Sequence, residues 1–272
     1  MKTKKQFGQH WLRNERVLDR IIQAAKITPT DRILEIGPGT GILTRRLITA
    51  ASAVVAVEID RDLCSILVKQ LGNVDNFLLL QDDFLNLDLA STLTDFPNFQ
   101  NPNKVVANIP YNITGPILEK LLGNIIHPSP QPFDSIVLLV QKEVAERLYA
   151  KPSTKAFGAL SIRVQYLANC ELICPVPARD FSPPPKVDSA VVRLTPRKLE
   201  LVPTNPKIFD RLVKLGFATR RKMLRNNLQS AIDRSDLTKL LISLNINTEA
   251  RAEDLSLEQW IQLSNIGAGL CQ

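Results

Sequence analysis

The chain has 272 residues, 44% of them hydrophobic and 22% charged, with a formal net charge of +7. That length and balance suit one large globular domain with a small companion and exclude a disordered chain, while the positive excess points to a polyanionic partner without naming one. The cysteines at 64, 170, 174 and 271 form no CxxC pair and are joined by only two histidines, which argues against a metal centre and fits a reducing cytosol.

The N-terminal MKTKKQFGQHW is basic and lacks the apolar run of a signal peptide. No apolar stretch reaches the roughly 18 residues of a membrane span, so a cytoplasmic protein without membrane contact is expected. Residues 13–26 place Val17, Leu18, Ile21, Ile22 and Ala25 at helical spacing. TPTD at 28–31 is a turn, RILEIG at 32–37 a short apolar strand ending in glycine, and 41–51 a helix. AVVAVEID (53–60) reads as a second buried strand, followed by a helix over 61–71. FLLLQ (77–81) and KVVA (104–107) are two more strands, separated by a stretch that includes the surface loop PNFQNPNK. DSIVLLVQ (134–141) is a fifth strand, and KEVAERLYA and SIRVQYLA are helical. CELIC is strand-like, with Cys170 and Cys174 as small core or half-buried residues, and VDSAVVRL (187–194) is a late strand expected to close the sheet edge. From about 205 onward only helical periodicity remains. Strands alternating with helices predict a mostly parallel sheet over residues 1–197, with a small all-helical domain over 198–272.

EIGPGTG (35–41) follows the first strand and opens a helix. Its glycines at 37, 39 and 41 permit a tight turn and close approach of a ligand to the backbone. The next strand ends in Glu58, where a carboxylate would accept from ribose hydroxyls, and the third ends in QDDF, where an acid could read an adenine amine. A bare strand-to-helix turn would use glycines too; the acid at the end of the second strand favours a nucleoside ligand. A dinucleotide wants glycine at the sixth position, where Ile42 stands, and Pro38 removes an N–H from any phosphate cradle. S-adenosylmethionine, which carries no phosphate, fits the loop better.

NIPY (108–111) caps the strand KVVA. Adenine N6 is a poor nucleophile because its lone pair is delocalised into the ring. Two acceptors aimed at its N–H groups favour a pyramidal nitrogen with a localised pair. The Asn108 side-chain oxygen can be one, and the main-chain carbonyl of Ile109 or Pro110 the other, held in direction by the fixed φ of proline. Tyr111 offers a ring on which a base can stack. Asn and Pro also punctuate ordinary loops, and Thr114 could cap the next helix; the upstream glycine loop and Glu58 favour catalysis.

Taken with KKQFGQHWL (4–12) and FSPPPKVDSAVV (181–192), NIPY makes nearly the whole chain resemble the KsgA-type ribosomal RNA adenine N6-dimethyltransferases. The resemblance implies an α/β, Rossmann-like class I S-adenosylmethionine-dependent methyltransferase fold. Its mostly parallel sheet would have seven strands, with a small all-helical C-terminal domain after it. QHWL resembles the segment over the methionine part of the donor, implicating His10 and Leu12. Gly37 and Gly39 match the glycine loop, Glu58 the ribose position and Asp83 the adenine side, with Asp82 one residue away; Asn108 borders the donor as well. Phe181 resembles the aromatic that closes on the target base from the face opposite Tyr111.

KLGFATRRKMLRNNL (214–228) has no acidic residue, and a charge run is usually a solvated helix face. Here Arg220, Arg221, Lys222 and Arg225 resemble the family's RNA-contacting helix. Lys4 and Lys5 add a second patch. The resemblance implies methylation of two adjacent adenosines, twice each, in a hairpin loop near the 3′ end of small-subunit (16S) rRNA. The partner would be that rRNA in a pre-30S-type particle, met by a monomer with no obligate protein partner, and no metal would be needed. S-adenosylhomocysteine would be the product of the donor. Three alternatives remain: a dimethylase of a single large-subunit adenine, a nonenzymatic assembly factor on the same fold, and an oxidoreductase.

Overall fold

A computed structural model describes residues 9–270, so Lys4, Lys5 and Cys271 lie outside the described residues. The chain divides into two compact units. The first comprises residues up to 121 with 130–145 and 170–196; the second comprises 122–129, 146–169 and 197 onward. Sequence periodicity placed 122–129 and 146–169 with the sheet, because short segments between sheet strands carry no signal of what they pack against.

In chain order the elements are β1 (Trp11–Leu12), α1 (Glu15–Ala25), β2 (Arg32–Ile36), α2 (Thr44–Ala50), β3 (Ala53–Glu58), α3 (Arg61–Leu71) and β4 (Phe77–Gln81). There follow α4 (Leu89–Thr92), β5 (Lys104–Asn108), α5 (Thr114–Leu122), β6 (Ser135–Gln141), α6 (Lys142–Tyr149), α7 (Ala159–Leu167), β7 (Ala168–Val176), β8 (Phe181–Ser182) and β9 (Ser189–Pro196). The last helices are α8 (Pro206–Gly216), α9 (Leu224–Asn227), α10 (Arg234–Ser243) and α11 (Leu257–Gly267).

Seven strands form one sheet in the order β4-β3-β2-β5-β6-β9-β7. The first five run parallel, and β9 is antiparallel to β6. This α/β, Rossmann-like arrangement agrees with the sequence. One detail differs: β9 does not close the edge but lies between β6 and β7. Its residues Ala190 to Val192 are almost completely buried, as an interior strand requires. A separate two-stranded ribbon pairs β1 with β8, Leu12 opposite Phe181.

Largely apolar runs make β2 and β3 interior strands, while α1 offers an apolar stripe of Val17, Leu18, Ile21, Ala24 and Ala25 to the same core. At the amino ends of the strands, Lys104 Nζ is 2.7 Å from Asp31 Oδ2 and Asn103 Nδ2 donates to Asp31 Oδ1 at 2.8 Å. Burial alone would raise the Asp31 carboxyl, but these bonds and those from Thr28 outweigh it and hold it at about 2. This pins the end of the sheet opposite the carboxyl edge, where loops are left to do chemistry.

The helical unit packs around Trp260, Phe209 and Phe157, each fully buried. Trp260 stacks on Phe217 at 5.6 Å and its indole N–H donates to the Ala252 carbonyl at 3.2 Å. The sequence reading of unbroken helix through TRRKMLRNNL is corrected here. Residues 217–222 are turn and bend, and only Leu224–Asn227 returns to helix. Asn227 Nδ2 donates to the carbonyls of Gly216 and Thr219, satisfying the end of α8 and holding the turn.

Candidate active site

The carboxyl ends of β2, β3, β4 and β5 border a cavity of about 260 Å3 within the first unit. Its floor is the loop after β2. Gly39 and Gly41 have φ of +61° and +79°, conformations natural to glycine. A Cβ on Gly41 would also lie 2.8 Å from Leu67 Cδ2, and one on Gly39 would meet the Trp11 ring at 3.4 Å. The positive φ, more than these contacts, strains any side chain at either place.

Glu58, at the end of β3, is 6% exposed. The Gly39 N–H donates to its Oε2 at 3.2 Å and the Asp60 N–H to its Oε1 at 2.9 Å. Burial raises its pKa and the backbone donors pull it back. Each oxygen keeps a lone pair for a hydroxyl in the cavity. After β4, Asp82 and Asp83 both line the cavity. The two oxygens of Asp83 accept from the Leu85 N–H at 3.0 Å and Asn86 Nδ2 at 2.8 Å, so its first duty is to shape the turn. Lys120 braces that turn through the Leu85 and Leu87 carbonyls and lies 5.0 Å over the Phe84 ring.

Asn108 ends β5. Its Nδ2 donates to the His10 carbonyl at 3.4 Å, which leaves the amide oxygen as the branch that can accept. Pro110 holds φ −61° and ψ 135°. Its carbonyl is taken up, at 3.4 Å each, by the Ile113 N–H and the Thr114 hydroxyl. The Tyr111 hydroxyl meets Ser189 Oγ at 2.6 Å, and its ring stacks with that of His10 at 5.9 Å and 20°. Burial raises the Tyr111 pKa, partly offset by Ser189, so the phenol stays neutral.

The structure brings His10, Leu12, Gly37, Gly39, Glu58 and Asp83 into one cavity with Asn108, Ile109, Pro110 and Tyr111. It does not bring Phe181 there. Phe181 is 3% exposed and joins the core cluster of Leu12, Val17 and Leu18. The ribbon explains this: directly opposite buried Leu12, the Phe181 side chain is directed into the same core.

Two cavity features escaped the sequence. Glu35, the acid of EIGPGTG, is 1% exposed and lines the cavity. Its Oε2 and the Thr44 hydroxyl are buried without a hydrogen-bond partner among the described residues. Burial pushes its carboxyl up to about 8; the nearby Thr44 opposes this and the charge of Glu58 adds to it. The signal was an acid inside an otherwise apolar strand. Ile59, 47% exposed, lines the cavity just after Glu58 and offers an apolar flank to a flat ring.

The described residues lining the cavity include four acidic side chains, those of Glu35, Glu58, Asp82 and Asp83, and no lysine or arginine. Such a lining disfavours a pyrophosphate and favours a cationic ligand with hydroxyls. No group of acids, histidines or cysteines suited to a metal occurs among the described residues. No helix there is long and apolar enough to cross a membrane.

In the helical unit, Arg221 and Lys222 are exposed. The Arg220 guanidinium is occupied: it donates to the carbonyls of Lys155 at 2.6 Å and Phe157 at 3.1 Å and pairs with Glu253 at 2.9 Å. Arg225 is half-buried, its Nε without a partner among the described residues.

The chain matches the family described as Ribosomal RNA adenine dimethylase over residues 1–268. It is 65% identical over 266 residues to the Ribosomal RNA small subunit methyltransferase A of Trichormus variabilis, covering 98% of each chain. Its identity to the protein of the same name from Nostoc sp. is 66%, again over 98% of each. Among solved structures it is similar to a dimethyladenosine transferase from Plasmodium falciparum, with TM-score 0.80 and 28% identity over 96% of this chain and 99% of that one. The 23S rRNA methyltransferase ErmE follows with TM-score 0.72 and 27% identity over 93% and 97%.

Proposed function

The chain belongs to the ribosomal RNA adenine dimethylase family, and from that premise we propose how its own residues carry out the reaction and on which target. It is an S-adenosylmethionine-dependent rRNA adenine N6-dimethyltransferase of the small subunit. The target is two adjacent adenosines in a hairpin loop near the 3′ end of small-subunit rRNA, reached in a pre-30S-type particle. The enzyme works as a monomer in the cytoplasm, without an obligate protein partner. Identity of 65% to small-subunit methyltransferases, against 27% to ErmE, supports the small-subunit target. The observation that carries the catalytic reading is the shared cavity of the glycine loop, Glu58 and the Asn108–Tyr111 tip.

The cavity fits the donor. Glu58 accepts the ribose hydroxyls, Ile59 flanks the adenine, and Asp82 or Asp83 accepts from its amine. Gly37 and Gly39 give the loop its close approach. The orphaned Glu35 oxygen suits a cation. His10 and Leu12 border the same space. Bound there, S-adenosylmethionine supplies a sulfonium methyl whose thioether leaves neutral, so no acid catalyst is needed.

The target adenine is splayed out of its loop and stacked on Tyr111. The Asn108 amide oxygen accepts one N6–H. The Ile109 carbonyl takes the other, since that of Pro110 is engaged by Ile113 and Thr114. Held this way, the N6 lone pair is localised for in-line attack, and positioning supplies most of the rate. The amine's proton is lost to solvent after transfer. An aspartate at 108 would accept equally but cost more to bury. Phe181 acts from beneath, supporting β1, rather than on the base. Arg221 and Lys222, with Lys4 and Lys5 of the arm, bind phosphates; Arg220 holds the turn that carries two of them.

Unmethylated small-subunit particles and naked rRNA, each incubated with protein and donor and analysed by mass spectrometry, test the reading. Dimethyladenosine at two adjacent loop positions of the particles is expected. Modification of large-subunit rRNA alone would refute the target.

A further inference from the structure

We infer that Lys120 is a positioning residue for the donor: it holds the turn after β4 in the shape that lets Asp82 or Asp83 read the adenine amine. This rests on the adenine role proposed above for those acids. Four consecutive residues of the turn, Asp82 to Leu85, line the cavity, and Lys120 does not. The turn is tied to β3 at its start, where the Asp82 N–H donates to the Glu58 carbonyl at 3.1 Å. Further on, the Asn86 and Leu87 N–H groups both donate to the Asp83 carbonyl at 3.0 Å, so the chain coils once. A single coil is not stable by itself, because one turn fixes several dihedrals for few hydrogen bonds. Lys120 supplies what is missing. Its ammonium donates to the Leu87 carbonyl at 2.6 Å and the Leu85 carbonyl at 3.0 Å, and lies 5.0 Å from the centre of the Phe84 ring. Phe84 is buried and borders the cavity.

Lys120 is exposed as a residue, and such a lysine ordinarily leaves its head in water. Here the head is turned back onto two carbonyls and a ring. Burial lowers its pKa, and the charges of Asp83, Asp88 and Asp82 oppose that, so three acids of the same loop act on the ammonium. The other end of α5 grips the strand tip: the Thr114 hydroxyl donates to the Pro110 and Tyr111 carbonyls at 3.4 and 3.3 Å. Six residues of helix, about 9 Å, thus separate a contact to the tip that presents the target amine from a contact to the turn that receives the donor's adenine. Removing the ammonium frees the turn and leaves the tip in place. The loss therefore falls on donor binding and not on methyl transfer.

The test compares wild type, Lys120→Met and Lys120→Arg. Calorimetry measures the affinity for S-adenosylhomocysteine and for S-inosylhomocysteine, in which a carbonyl oxygen replaces the adenine amine. Steady-state rates on unmethylated small-subunit particles give kcat at saturating donor. Loss of one charge-assisted hydrogen bond corresponds to about tenfold in an equilibrium constant. Lys120→Met is therefore expected to bind S-adenosylhomocysteine about tenfold more weakly, to lose about threefold or more of the preference for the adenine ligand, and to keep kcat within about twofold. Lys120→Arg should recover part of both losses. Three results overturn the inference: Lys120→Met with wild-type affinity and preference, a fall in kcat with affinity unchanged, or Lys120→Arg indistinguishable from Lys120→Met. A wild-type protein that binds both ligands equally would instead fail the underlying reading, in which an acid accepts from the amine.

Discussion

The hydroxyl of Tyr111 lies 2.6 Å from Oγ of Ser189, although 78 residues separate them in sequence. Ser189 is fully buried and opens β9, opposite Gln141 of β6. The tip of one strand is thus braced by another, two positions away in the sheet. A ring that must present one face to a base is held at its far end.

Ser189→Ala removes this brace. A buried neutral hydrogen bond contributes about 0.5–1.5 kcal/mol, so a fall in kcat of about two- to tenfold is expected. Tyr111→Phe should produce a similar loss, and the double variant no more than either alone. Steady-state rates of the three variants measure the coupling; strictly additive losses would show that the bond does not orient the ring.

Glu35 carries a pH signature. Its folded pKa of about 8 stands above the ordinary 4.5. Between those values the folded protein keeps a proton that the unfolded chain has lost, so stability falls as pH rises through the window. Glu35→Gln removes this penalty. Its melting temperature is expected to vary less between pH 5 and 8 and to exceed that of wild type at pH 8. Donor binding should release a proton from wild type but not from the variant, visible by calorimetry in buffers of different ionisation heat. Asp31 has the opposite sign: held at about 2 against an ordinary 3.8, it stabilises the fold above that range and loses the contribution as pH falls from 3.8 through about 2.

The basic turn divides into two roles. Arg221→Ala/Lys222→Ala should weaken RNA binding and flatten its salt dependence by about 0.7–0.9 log unit for each phosphate no longer neutralised, with no change in melting temperature. Arg220→Ala should lower the melting temperature, because Lys155, Phe157 and Glu253 lose their shared partner. Affinity and melting curves across a salt series separate the two.

The local part of the fold was legible. Apolar runs ending in EIGPGTG, Glu58 and NIPY place three strand tips at one edge, since parallel strands deliver their carboxyl ends together. What periodicity could not supply was partnership at a distance. The interior place of β9, the Tyr111–Ser189 bond and the burial of Phe181 opposite Leu12 depend on which strands meet. TRRK looked helical because charged residues suit helices, while the turn there is set by Asn227 and by Arg220 reaching segments far along the chain.

Asn108→Ala, compared with wild type in single turnover on unmethylated particles with donor binding followed by calorimetry, tests most directly whether the strand-tip amide grips the adenine amine. Donor affinity near that of wild type is expected, with methyl transfer slowed about a hundredfold or more, the order seen when one oriented polar group is removed from a reacting centre. Wild-type yields of dimethyladenosine at an unchanged rate would contradict that role for Asn108.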